Sequence, residues 1–185
     1  MKMAVRQTGS KRKGSHVEND FSAIKPRRIE GNSFNLVARE WMLITAGTRT
    51  SFNTMTASWG GFGHLWNRDI CWCVIRPQRY TYEFAERSSR FTLSFFDREY
   101  RDALKYCGTH SGRDVDKMAE TGLTPTETPD GSVYFEEARL VIECEKIYLH
   151  DIDPSNFLDP DIHNEYPDKD YHRMYLGRIV RCLRR

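Results

Sequence analysis

Trp41-Met-Leu-Ile-Thr-Ala-Gly47, followed by a short turn and then Asn53-Thr-Met-Thr-Ala-Ser-Trp59 with Gly60, Gly61 and Gly63, is the stretch on which the fold reading depends. The first run is short, apolar and closed by glycine, as a buried strand should be. Residues 48–52 then turn the chain. The second run, rich in threonine and small residues, reads as another strand entering a glycine loop, where backbone must approach something closely.

Outward from this pair the pattern stays strand-rich. Ile70–Ile75 is a third strand, stopped by Pro77. Thr81 is placed to cap a helix from Tyr82 to about Ser88, with Glu83 in its first turn. Residues 90–96 return as a strand, and Asp97 can cap a helix through Tyr100, Leu104 and Cys107 that Gly108 ends. A short helix follows from Asp114. Arg139–Ile147 alternates, with Leu140, Ile142 and Cys144 on one face and Glu143 and Glu145 on the other, the pattern of a half-buried strand. Residues 151–170 are acidic and proline-containing, hence loop, and 171–183 form a last strand with a bulge at Gly177. Strands dominate, helices are inserted mid-chain and no βαβ rhythm appears. A mainly β fold follows, an antiparallel barrel with peripheral helices rather than a Rossmann sheet.

Length and composition fit that reading. A chain of 185 residues with 39% hydrophobic and 29% charged residues builds one ordinary globular domain, here 21–185, behind a basic tail at 1–20 expected to be disordered. The tail carries much of the +2 net charge, but without a recognised module or interleaved aromatics it does not make a nucleic-acid binder. The longest apolar runs fall far short of the ~20 residues a spanning helix needs, and no apolar h-region follows the basic start, so the cytoplasm is expected. Five scattered cysteines without a CxxC pair indicate reduced thiols, not a disulfide framework or a metal site.

Three segments offer chemistry. In the first, small side chains at Thr56, Ala57 and Ser58, between Asn53 and Trp59, leave main-chain groups open to a flat ligand, although an ordinary threonine-rich strand reads the same way. In the second, Arg76-Pro-Gln-Arg-Tyr-Thr-Tyr82, two cations and a hydroxyl precede a helix N-terminus. That is a phosphate site, with a solvated arginine pair as the plain alternative. In the third, Gly108-Thr-His-Ser-Gly-Arg-Asp-Val-Asp-Lys117, amides near Ser111 and Gly112 could line a ligand and Lys117 could reach an anion; a capped turn is the alternative.

Together, in this order, these segments and Asp170-Tyr-His-Arg-Met-Tyr-Leu-Gly177 resemble the FMN-binding flavin reductase-like family, particularly its flavoredoxin branch, over residues 35–183. The resemblance implies an FMN-binding split β-barrel that forms a homodimer and holds FMN noncovalently near the subunit interface. It places Thr56, Ala57, Ser58 and Trp59 along the ring and ribityl chain, Arg79, Tyr80 and Thr81 at the phosphate, and Ser111, Gly112 and Lys117 on the side loop. Asn53 and Arg76 belong to the same set or brace the loop. Flavin carries the redox chemistry itself, so no catalytic residue is expected. Neither a Gly-x-Ser-x-Gly elbow nor an HExxH motif is present. Two activities are then implied. One is an oxidoreductase passing electrons from NADH or NADPH through FMN to free flavin, ferric complexes or another acceptor. The other is a flavoredoxin-type electron carrier reduced by a partner protein.

Overall fold

Unbroken hydrophobicity at Met42-Leu43-Ile44 has a physical cause: all three side chains are fully buried, on two opposite faces of one strand. Met42 and Ile44 join an inner apolar cluster with Leu93, Phe95, Ile142 and Tyr175. Leu43 points the other way, into a second cluster with Leu104, Phe135 and Val141. A strand covered on both faces does not alternate.

The computed structural model describes residues 21–185; the expected basic tail at 1–20 lies outside the described residues. The strands are β1 (Ser22–Ile24), β2 (Met42–Thr48), β3 (Ser51–Ala57), β4 (Gly60–Leu65), β5 (Arg68–Ile75), β6 (Arg90–Phe95), β7 (Pro125–Glu127), β8 (Val133–Phe135), β9 (Leu140–Asp151) and β10 (Arg173–Arg184). The helices are α1 (Ser33–Asn35, continued by a π turn over Leu36–Glu40), α2 (Tyr80–Arg87), α3 (Arg101–Thr109) and α4 (Lys117–Thr121). Antiparallel pairing runs β3-β2-β6-β9-β10-β5-β4, with β1 added on β10 and β7–β8 forming a separate small ribbon. The two ends of this path, β3 and β4, are also neighbours in sequence, joined by Ser58 and Trp59 alone. Among the described residues no ladder closes the sheet between them, so the barrel is split there. The mainly β, split-barrel expectation holds.

Several local expectations are corrected. The turn after β2 is tighter than 48–52, because β3 already begins at Ser51. The glycine loop is in fact strand β4, paired with β5 from Gly60↔Cys73 to Leu65↔Arg68. Its glycines are forced by packing: a Cβ at Gly60 would stand 2.7 Å from the Trp72 carbonyl oxygen, and one at Gly61 2.7 Å from the Trp72 indole nitrogen. Helix α3 runs through Gly108 to Thr109, Asp97 makes no side-chain cap bond, and α4 starts at Lys117 under an Asp116 cap instead of at Asp114. Glu143 is not on a solvent face. It is fully buried, accepting from Thr128 (2.9 Å), Ser132 (2.7 Å) and Arg181 (3.0 Å), with Arg90 3.5 Å away. The charge is paired and its remaining acceptor sites are filled, the condition under which a carboxylate survives in a core.

The bulge expected at Gly177 is present: the β9–β10 register shifts between Leu176 and Gly177. A Cβ there would lie 2.7 Å from Cys144 Cβ and 2.9 Å from the Phe91 ring. All five cysteines are buried, and Cys71, Cys73, Cys144 and Cys182 belong to the inner cluster.

Candidate functional site

Strand β3 lies at an edge of the sheet, and its outer side is covered by α2 and α3 instead of another strand. Main-chain groups on that side must find partners elsewhere. Lys117 supplies one, donating from Nζ to the Thr54 carbonyl (2.7 Å) and also to that of Cys107 (2.9 Å). The Thr56 hydroxyl donates to the Leu104 carbonyl, tying β3 to the middle of α3.

Asn53 is the hub. Its Nδ2 donates to the Thr81 hydroxyl at 2.8 Å, and Gly112 packs so closely on its Oδ1 that an added Cβ would overlap it. Thr81 is therefore not the helix cap. It is 0% exposed within the first turn of α2, and the capping position is Arg79, which makes no side-chain cap bond. The opening amides of α2 consequently have no side-chain acceptor.

Around this hub the structure brings Asn53, Arg79, Tyr80, Thr81, Ser111, Gly112 and Lys117 together on one cavity of about 130 Å³, with Met55, Gln78, Thr109 and His110 completing its wall. Two cations face it and no carboxylate does. Arg79 is anchored through a bond to the Gly108 carbonyl at 2.9 Å. Burial, and then the neighbouring Arg76, lowers its proton affinity, but a guanidinium starts so high that it stays charged. Lys117 is only 5% exposed, and burial first, with Arg79 adding repulsion, pulls it down to about 8. Both cations gain by meeting an anion. A phosphate dianion fits this set: two cations, a helix start without a side-chain cap, and no carboxylate in the lining. A second, wider cavity of about 560 Å³ shares Asn53, Gly112 and Lys117 and adds Arg49 and Arg113.

The remaining candidates lie elsewhere. Ala57 and Ser58 continue from β3 toward the split, and the Ser58 hydroxyl has no partner within the described residues. Trp59, 39% exposed, packs against His172 (ring centroids 5.0 Å) and Tyr166 (6.5 Å). Arg76 is drawn away from the cavity, to the Asp170 carboxylate (2.6 Å) and the Glu165 carbonyl (2.8 Å). It braces the 152–172 loop.

Sequence reading missed the partners that this loop supplies. Tyr166 hydroxyl and His172 Nδ1 are 2.9 Å apart, and burial brings His172 down to about 4, so its imidazole is neutral. It also missed the platform beside the cavity, where Tyr106 and His110 stack at 3.9 Å. Aromatic spacing four apart on a helix could have signalled that pair. Nothing local signals the other, because Trp59 and Tyr166 are far apart in the chain.

Comparison with known proteins identifies the family and the fold. Residues 34–185 match the model of the flavin reductase like domain. Similar solved structures include an FMN-binding domain of a flavin reductases-like enzyme from Shewanella baltica (17% identity, 91% of this chain and 79% of that one, TM-score 0.65). Another is the flavoredoxin of Desulfovibrio vulgaris (26%, 77% and 67%, TM-score 0.59). A third is an NADH:FAD oxidoreductase of Streptomyces globisporus (15%, 79% and 75%, TM-score 0.61). No curated protein matches the chain.

Proposed function

This chain belongs to the flavin reductase-like domain family, to whose fold an FMN-binding domain of a flavin reductases-like enzyme is similar, and on that premise we propose that it is an FMN-dependent oxidoreductase fed by NADH or NADPH. Electrons leave to free flavin, a ferric complex or another acceptor. The observation that carries the reading is the small cavity faced by Arg79 and Lys117 and by no carboxylate. Ligand pockets for whole cofactors run to ~300–1,000 Å³. A cavity of about 130 Å³ takes the phosphate end only, and the rest extends past Thr56, Ala57 and Ser58 to Trp59.

When bound, FMN supplies hydride and single-electron chemistry. The protein's part is binding and orientation. Arg79 and Lys117 fix the phosphate, Asn53 and Thr81 hold the cavity walls in register, and Ser58 offers a hydroxyl to the ring or ribityl chain. Trp59, held by His172 and Tyr166, screens the ring from water at the split in the barrel. The protein acts as a homodimer in the cytoplasm; exposed Leu65, Trp66, Tyr148 and Leu149 support an apolar contact between copies.

Similarity to a flavoredoxin at 26% identity favours a second reading, an electron carrier reduced by a partner protein. One experiment separates the two: the visible spectrum of the FMN-loaded protein, without oxygen, before and after NADH and then NADPH. Rapid bleaching of the flavin bands supports the reductase. Bands that persist with both nucleotides favour the carrier, and no bands after reconstitution with FMN refutes both.

A further inference from the structure

Lys117 is held in an arrangement that serves an amine better than an ammonium ion. Its Nζ donates to the carbonyls of Thr54 (2.7 Å) and Cys107 (2.9 Å), and among the described residues it has no third acceptor. An ammonium group carries three protons, so one is left without a partner in a side chain only 5% exposed. A neutral amine carries two. The same two carbonyls then satisfy both, and the nitrogen lone pair takes the remaining direction. Burial, which holds the group at about 8, works in the same sense. At pH 7 about a tenth of the chains carry the free amine, against roughly one in two thousand for a lysine at its ordinary value.

The surroundings select what such a nucleophile meets. Lys117 lines the cavity of about 130 Å³ together with Arg79, which is fixed to the Gly108 carbonyl, and the uncapped first turn of α2. A phosphate seated on Arg79 therefore shares this small space with the Lys117 amine. The volume is well below the ~300–1,000 Å³ of a pocket for a whole cofactor, so a phosphate bearing only a few further atoms fits it. An electrophilic carbon bonded to that phosphate is delivered to the amine, and the reaction gains the advantage of two groups already held together.

We propose that in the flavin-free protein Lys117 is a self-modification site for small acyl phosphates, which transfer their acyl group to its Nζ. This rests on the phosphate seat of the reading above. The amine lone pair attacks the acyl carbon and forms a C–N bond; the C–O bond to phosphate breaks, and phosphate leaves with that electron pair. The amine gives up one proton, which the departing phosphate carries away, so the products are an amide and hydrogen phosphate and no oxidant or further reactant is needed. Arg79 stabilises the leaving dianion. The amide is uncharged, so the acylated chain has lost one of the two cations that face the seat. With the phosphate of FMN in place the seat is closed and Lys117 stays charged. Flavin loading and acylation exclude each other.

The test uses the full chain stripped of flavin and incubated with acetyl phosphate, with each lysine followed by peptide mass spectrometry. Lys117 should gain an acetyl group about tenfold or more faster than the exposed Lys105 and Lys169. Inorganic phosphate should abolish that preference, as should Arg79→Gln, and acetic anhydride, which has no phosphate, should not show it. Modification of Lys117 no faster than that of Lys105 would overturn the proposal, and so would a preference that survives inorganic phosphate or Arg79→Gln, or that acetic anhydride shares. Preloading with FMN should protect Lys117, and riboflavin should not. Protection by inorganic phosphate but not by FMN would refute the flavin reading alone.

Discussion

Replacing Lys117 by methionine removes the buried ammonium while keeping much of its length. In the free protein, two opposing effects partly cancel. The ammonium sits at about 8 instead of 10.5, which corresponds to ~3 kcal/mol of unfavourable burial, and methionine avoids that cost. Against this, the carbonyls of Thr54 and Cys107 lose their donor, at ~1.5–3 kcal/mol for each bond to a charged group. Urea unfolding of the flavin-free variant should therefore show a loss of no more than about 3 kcal/mol. Binding behaves differently, because nothing replaces the attraction to phosphate. FMN affinity, read from quenching of its fluorescence, should fall about 10- to 150-fold. Riboflavin, which has no phosphate, should bind both proteins alike. The pH dependence follows from the same shift. The folded value lies below the unfolded one, so the burial cost is fully present below about 8 and fades as pH rises toward 10.5. Stability of the flavin-free wild type gains from this group across that window while its hold on FMN declines, and both trends vanish in the variant. Equal FMN affinity in wild type and variant, or a matching loss for riboflavin, would refute the assignment of Lys117 to the phosphate.

Two further perturbations test the frame around the site. Gly177→Ala places a Cβ against Cys144 and Phe91 and should lower stability by about 1–3 kcal/mol by overpacking; an unchanged urea midpoint would show that the bulge relaxes freely. His172 is 8% exposed and held near 4 against an ordinary 6.5, so its contribution is complete above 6.5 and is lost as pH falls toward 4, by up to ~3 kcal/mol. His172→Phe should flatten that acid limb, and an unchanged limb would place the titration elsewhere.

Much of this architecture is legible in the chain because burial and sequence agree locally. Ile70–Ile75 is apolar where it is buried, and Gly177 marks a register shift that short-range reasoning can expect. The failures share a cause: the deciding partner is distant. Gly60 and Gly61 read as loop because glycine is a poor strand former, yet Trp72 leaves room for nothing larger. Glu143 reads as solvent-facing because Arg90 and Arg181 stand 53 and 38 residues away. Thr81 reads as a cap because nothing nearby reveals that Asn53, 28 residues earlier, claims its hydroxyl. The residues that share the cavity are legible because each of the three segments carries its own chemistry; Arg76 stands apart from them because Asp170 engages it from across the fold.

The split in the barrel leaves the sheet with two unlike borders. On the β3 border, Lys117 occupies a main-chain carbonyl and α2 and α3 cover the rest, so no further strand can be added there. On the β4 border, among the described residues, no strand or side chain takes the outer main-chain groups, and the hairpin ends in exposed Leu65 and Trp66. Growth of the sheet is thereby one-directional. A chain that loses solubility on mutation will recruit neighbours through Gly60–Leu65, and a charge at the solvent face of that strand is the change that would keep such a variant dispersed.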